Sequence, residues 1–535
     1  MPRTGVKTLT FPLSGVDRRG GYRRQVRPYA APWAVNVRGS DPMEGRERGG
    51  SRPGLKKISA ADLGAIRALA PLSYVDAAGA HHTDLVAIGD GTFYLINGST
   101  ATATAGNLTT EDGTLIIDDD DKEIVFDATV GAANSITDTG AYDIAIRGGK
   151  AYLADSVLRV YNPLLGTVAA VVASDGSVPT AQPLVCTYRD RIVLSGAEHL
   201  WYASRQSDPT DWDYGADMDD QGRPVAGQLA FSGGIGQDVT AMIPIEDKAL
   251  AFATANELWV LHGDPATGRM EQVSDQIGVI APEAWAVAPG GMLIFLSNDG
   301  LYIWTAGSGT HPVRFSEERM PEELRDVAVA SNDVMMAYDA TGKGFHLFIT
   351  PASGAGEHWW LDIDNKALWP VVFASTHQPT AISRVLSGSL GEVALGCSDG
   401  YVRKFDRDTT TDDGTTLESH VLIGPIRVTS DDVTDAMVAE IHGIVAGSSS
   451  SVTWRLVMGS SAEAVTDVAV AGVLAAVAGT TVSGVAASGT WSAGRNAVVR
   501  PRARGPWAVI WIEGAGRWAY EAVAVVSRQL GRMRT

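Results

Sequence analysis

Between about residue 62 and residue 408 the apolar positions come in short clusters, separated by Gly or Asp-Gly turns and followed by a second cluster that carries an aromatic residue. Seven such pairs stand in the chain: 85–88 with 92–94, 151–154 with 158–161, 191–194 with 200–202, 249–252 with 258–260, 293–296 with 300–303, 345–348 with 358–360, and 393–396 with 399–402. Alternating apolar residues around an Asp-Gly or Gly turn are the signature of a β-hairpin. The aromatics that close the pairs are Tyr94, Tyr161, Tyr202, Trp259, Tyr302, Trp359 and Tyr401, at intervals of 67, 41, 57, 43, 57 and 42 residues. The shorter intervals match one blade of about 40–50 residues in a β-propeller, and the longer ones require insertions. The pattern therefore predicts a propeller of six or seven blades over 62–408, with an insertion at about 97–140, against the plainer alternative of hairpins in stacked sheets.

The flanks read differently. Residues 1–61, with Pro12, Pro28, Pro32, Pro42 and Pro53 and little apolar periodicity, predict an extended basic arm that orders on assembly. Residues 409–418 are rich in Thr, Asp and Gly and predict a linker. Alternation then resumes at 420–423, 452–457, 497–500 and 507–512, which predicts a C-terminal β-sandwich within 409–535. The fold class expected is all-β throughout.

Composition adds to this picture. Hydrophobic content of 45% and charged content of 20% are globular, and 59 Gly with 24 Pro suit many short strands and tight turns. The net charge of −19 is uneven: residues 1–57 hold 13 Lys/Arg against 4 Asp/Glu, residues 58–494 carry −34, and the last 41 residues are basic again. An acidic body lacks the cationic faces that neutralise phosphate, which argues against a DNA-binding body. Cys186 and Cys397 lie in apolar strand-like stretches and imply buried free thiols rather than a disulfide framework. No secretory leader is legible, and the uncharged stretch Val468–Gly494 is too punctuated by Gly, Ser and Thr to span a membrane.

Candidate chemistry is sparse. No G-x-S-x-G, phosphate loop, H-E-x-x-H or C-x-x-C occurs. His81, His82 and Asp84 could ligate a metal, but adjacent histidines fit an exposed turn better. The run Asp118–Asp121 lacks the spacing of a calcium loop and is expected to be a solvated turn. Glu357-His358 beside Trp359-Trp360 has the make-up of a sugar subsite, or of an ordinary aromatic strand. Asp208, Asp211 and Asp213 could serve glycoside hydrolysis, or simply stabilise a loop through Asx-turns. No catalytic, cofactor or metal site is assigned, and no cofactor is expected.

Three stretches resemble the tail nozzle proteins of short-tailed bacteriophages, the tail tubular protein B family, and related tail proteins of other tailed phages. The first runs from Gly15-Val16-Asp17 through 28–37 and Gly45 to Ser51-Arg52-Pro53-Gly54-Leu55. The second is 204–214 followed by 239–244 and 257–265. The third is 277–282 leading to 295–302. The resemblance covers about half the chain. It implies a non-enzymatic virion protein, made in the host cytoplasm, that forms a homo-oligomeric ring, usually a hexamer, below the portal and adaptor. Such a ring extends the DNA exit channel and anchors tail fibres. This chain is shorter than typical members, which puts the fibre-docking platform in doubt. Genomic DNA would pass without specific binding, and no membrane insertion is expected. Arg18, Arg19, Arg23, Arg24, Arg27, Tyr29, Trp33, Arg52, Arg500, Arg502 and Arg504 are then expected at subunit or ring–ring contacts, pairing with acidic neighbours. The competing expectation is a propeller that binds glycans or acts as a glycosidase or lyase.

Overall fold

A computed structural model describes residues 4–18, 30–97, 100–103, 142–155, 157–215, 218–230, 236–316, 322–385, 392–429 and 434–532. The protein is all-β and built on a β-propeller. Seven antiparallel sheets follow one another along the chain. Their first strands are Ile66–Val75, Asp143–Arg147, Leu184–Tyr188, Ala241–Ile245, Trp285–Ala288, Asn332–Asp339 and Pro379–Val385. Each of the seven hairpins read from the sequence supplies the second and third strands of one sheet. At the first of them Asp90 (φ 45°) and Gly91 (φ 73°) both adopt the left-handed conformation that a tight two-residue hairpin turn requires. The ring is closed: Ile66–Val75 packs against Asp143–Arg147 on one side and Pro379–Val385 on the other.

The closing sheet corrects the expected arm. Gly54–Lys57 pairs antiparallel with Val402–Asp406 inside the last sheet, so a segment read as free is a structural strand of the ring. Its pairing brings Lys57 Nζ to 3.5 Å from the centre of the Tyr401 ring. The rest of the described N-terminal segment is also used within its own chain. Thr4–Leu9 pairs with Tyr520–Arg532, and Ala34–Val35 with Glu418–Arg427. The sequence misled here because these strands are too short, and too rich in Arg and Gly, to show a two-residue apolar period. The expected linker 409–418 is likewise structured. Thr411–Asp412 lies parallel to Gly54–Lys57, and Thr415–Thr416 forms the outer edge of the same sheet. Of the expected insertion at 97–140, only Thr100–Ala103 is described beyond Asn97, as the fourth strand of the first sheet.

Beyond the ring, two five-stranded sheets face each other. One contains Glu418–Arg427, Trp507–Ala515, Val452–Gly459 and Val485–Trp491, with Ala34–Val35 at its far edge. The other contains Thr4–Leu9, Tyr520–Arg532 and Thr434–Val445, with two short strands at Gly494–Arg495 and Ala503–Arg504. Val421, Ile423, Trp454, Leu456, Ile510 and Ile512 of the first share one core with Ala436, Val438, Ile441, Val523 and Val525 of the second.

One element was not expected. Helix α1 (Ala462–Val477) covers the outer face of the first of these sheets. Ser461 caps it, its hydroxyl accepting from the Ala464 amide, and Glu463 lies in the first turn where the helix dipole favours a carboxylate. Ala462, Val465, Ala469 and Val473 sit at helical spacing and pack on Leu422, Val457, Trp507, Val509 and Trp511. The Ala/Val run concealed this helix, since from Val468 on its apolar residues continue around the whole circumference.

Candidate functional site

Two constellations concentrate buried polar chemistry. The first joins the N-terminal segment, the ring and the C-terminal sheets. Asn36, with φ 55°, accepts from the Val372 amide at 2.8 Å through Oδ1 and donates from Nδ2 to the Glu418 carbonyl at 2.8 Å. Its Oδ1 also accepts from Arg52 Nε at 2.9 Å. Arg52 is fully buried; its guanidinium donates to both oxygens of Asp412 and to the carbonyls of Pro53 and Val372, and lies 4.9 Å from the Phe373 ring centre. Asp412 Oδ1 accepts in addition from the Leu55 amide at 3.1 Å. All of the Asp412 contacts come from the closing strand or the residues beside it, so this cluster is a clasp on the ring. Beside it Arg38 is buried 3.9 Å over Trp360 and 3.9 Å from Asp339. Burial lowers the Arg38 guanidinium to about 9, while the neighbouring His346, also lowered by burial, falls to about 4. Arg38, Thr341, Lys404, Phe405 and Arg407 line a cleft of about 340 Å³, with Asp339, Glu392, Asp406 and Asp408 among its walls.

The second constellation consists of buried carboxyls contributed by different sheets of the ring. Glu283 precedes the fifth sheet and bridges to Met335 of the sixth; its carboxyl is raised to about 8 by burial and by the like charges of Asp143 and Asp333. Asp143 opens the second sheet and is raised to about 7 by burial, although its Oδ2 accepts from the Val185 amide at 3.2 Å. The carboxyls of the second and sixth sheets thus act electrostatically on that of Glu283. Both Asp143 and Glu283 keep partial contact with solvent while protein surrounds them. Sequence reading missed them, because Asp143 and Glu283 become neighbours only when the ring closes.

The residues singled out from sequence fare unevenly. Arg52 cannot be a subunit contact, since the clasp consumes it. Arg18 stacks at 4.4 Å from the Trp33 ring centre and bonds Glu323 at 3.3 Å, so both are occupied within the chain. Arg19, Arg23, Arg24, Arg27 and Tyr29 lie outside the described residues, as does the Asp118–Asp121 run. Arg500, Arg502 and Arg504 are exposed, with Arg500 bonded to Glu440 at 3.1 Å. His81 and His82 are not in a turn: they belong to His81–Gly89, where His82 stacks on Tyr74 and bonds Asp76 at 2.9 Å. His358, Trp359 and Trp360 are core residues; His358 bonds Gln378 at 2.8 Å, and burial lowers its imidazole to about 4. A sugar subsite cannot use them. Asp208, Asp211 and Asp213 each accept a backbone amide two residues ahead at 2.9–3.0 Å, and Asp208 is held below the usual carboxylate range by the Thr210 hydroxyl and amide. These are turn acceptors. The nearby loop is held instead by buried Arg191, which donates to the carbonyls of Ser204, Gln221, Gly222 and Arg223.

Among the described residues no three His, Cys, Asp or Glu side chains are arranged to hold a metal, and no helix is long and apolar enough to cross a membrane. No family model and no curated protein matches the chain. Solved structures similar to it include the WD40 β-propeller domain of Doa1 (12% identity, 66% of this chain and 98% of that one, TM-score 0.38). Another is the extracellular domain of a putative one-component system from B. thetaiotaomicron (12% identity, 73% of this chain and 44% of that one, TM-score 0.39). A third is YCF48 bound to D1 peptide (11% identity, 66% of this chain and 97% of that one, TM-score 0.37). At these scores the similarities transfer neither activity nor partner, and the propeller rests on the strand topology of the chain itself.

Proposed function

We propose that this chain is a structural, non-enzymatic subunit of a bacteriophage tail, assembling into a nozzle-like ring that extends the DNA exit channel. In this reading the seven sheets are seven propeller blades and the two C-terminal sheets are a β-sandwich. The observation that carries the proposal is the charge on the open C-terminal sheet. Arg504, Met437 and Arg528 lie opposite one another on three neighbouring strands, so their side chains share one face. Arg504 and Arg528 are exposed there, close to Arg500 and Arg502. A compact basic face on a body of charge −34 is complementary to the rest of its own surface, as a head-to-tail ring requires. The acidic remainder would let DNA slide without being held. Adaptor, portal and fibre proteins are the partners this role implies, and no cofactor is needed.

The native particle mass tests the reading. A six-fold multiple of the 56.3 kDa chain supports it, and a stable monomer at micromolar concentration overturns it. Duplex-DNA binding at low salt separates the two uses of the basic face. Weak binding, with assembly damaged by R500E/R502E/R504E, supports a subunit contact. Tight binding that these changes abolish makes the face a DNA grip.

A further inference from the structure

The uncharged stretch Val468–Gly494 folds into two neighbouring exposed features. The outward side of α1 carries Val468, Ala471, Leu474 and Val477, with Val468, Leu474 and Val477 between 40% and 50% exposed. From Val468 on the helix is apolar all round, a pattern normally covered on every side, and among the described residues it is covered on one side only. Next to it runs Val485–Trp491, which among the described residues pairs on one side alone, with Val452–Gly459. It is seven residues long, without Lys, Pro or any charge, and of the usual protections of a sheet edge it has only a β-bulge, where it pairs with Leu456 and Val457. The two features are continuous: Gly484, leading into the strand, is pressed so closely on Val468 that a Cβ there would fall 2.3 Å from the valine methyl.

A second unguarded edge lies at the other lateral end of the same pair of sheets. Thr4–Leu9 pairs only with Tyr520–Arg532 among the described residues, and its Val6 is 68% exposed. Its one cation does not guard the edge, because Lys7 Nζ donates to the Arg427 carbonyl. Lys7 packs near Ile426 and Ala508, whereas Trp491 packs on Gly443, which places the two edges at opposite ends. The edges are of matching length, six residues and seven. Their borders are of opposite charge: Glu463 and Asp467 are exposed on α1, and Arg528 is exposed opposite Thr4.

We infer that the Val485–Trp491 edge and the exposed side of α1 form a docking site for the Thr4–Leu9 strand of a second copy of this chain. The strand adds to the sheet by main-chain hydrogen bonds while Val6 and its neighbours meet the apolar helix. Because the two edges differ and lie at opposite ends, the contact is head-to-tail and propagates. This rests on the ring reading above and specifies its interface.

The test is cysteine cross-linking in the full chain, whose Cys186 and Cys397 are buried. Under mild oxidation V6C/A486C is expected to lose its monomer band to a ladder of linked chains, while V6C and A486C alone stay monomeric on a denaturing gel. Linked pairs from A486C alone would mean that like edges pair, and would overturn the assignment. A multimer by native mass that gives no V6C/A486C ladder sinks this interface and leaves the ring standing; a native monomer sinks both. A471E/L474E, changed only on the exposed side of α1, is expected to fold with an unaltered far-ultraviolet spectrum and to fall to the mass of one chain. Unchanged assembly of that variant would also overturn the inference.

Discussion

Arg52 and Asp412 are 360 residues apart in the chain and form a forked, buried ion pair in which both carboxylate oxygens accept from one guanidinium. A pair of this kind adds little compared with apolar residues of the same shape, but removing one partner leaves the other charged and buried, at a cost of about 3–5 kcal/mol. R52A and D412A are each expected to lower the unfolding free energy by that much. R52K should rescue little, because an ammonium cannot serve Asn36, Val372 and Asp412 at once. Urea unfolding measures all three; a change below about 1 kcal/mol in R52A would show that the clasp does not hold the ring.

Removing residues 1–57 takes away Gly54–Lys57, Ala34–Val35 and Thr4–Leu9 together. The truncated chain is expected to lose cooperative unfolding and to aggregate, since the last sheet and both C-terminal sheets gain bare edges. Limited proteolysis and differential scanning calorimetry of the truncated chain check this. A soluble body with a sharp transition would restore the arm to a free segment.

The buried carboxyls of Glu283 and Asp143 make stability depend on pH. Glu283 and Asp143 are raised to about 8 and about 7, above their unfolded values near 4. Folding therefore favours their protonated forms, and the stability they contribute is complete below about pH 4 and lost as pH rises through 7 and 8. From pH 5 to 8 the unfolding free energy is expected to fall by up to about 1.4 kcal/mol per pH unit for each group. E283Q should flatten that slope. An identical slope in E283Q and the native chain would remove Glu283 as its source.

Burial raises the thiols of both cysteines, Cys397 to about 12, and both are shielded within strands. Neither is expected to react with an aromatic disulfide reagent at pH 8 in the native protein, and both should react in denaturant. Rapid native labelling of one thiol would place it at a locally opening edge.

The ring hairpins were legible because each carries its own instruction: Asp90-Gly91 dictates a turn, and the alternation around it dictates two faces. The clasp was not. Arg52 and Asp412 look like surface charges until Gly54–Lys57 pairs with a strand about 350 residues away, and nothing local foretells that partner. The same holds for Asp143 and Glu283. Helix α1 was hidden for another reason: from Val468 on its run of Ala and Val is apolar on every side and has no contrast from which to read a period. Its only local announcement was Ser461 followed by Glu463, a cap and a first-turn acid that fit a helix start. Arg500, Arg502 and Arg504 were readable as a cluster, and the fold keeps all three at the surface.

The closing strand has a consequence for how the protein is made. Leu55 leaves the ribosome about 350 residues before Phe405, its partner across the last sheet. At roughly 5–20 residues per second, Gly54–Lys57 waits on the order of 20–70 s for the strand it must join. Over that interval the first six sheets are synthesised in turn, the sixth ending only at Val371, and a gap remains where the seventh belongs. Ring closure thus waits until about three quarters of the chain is made, and a nascent chain stalled before residue 402 presents two raw ends to its neighbours on the polysome.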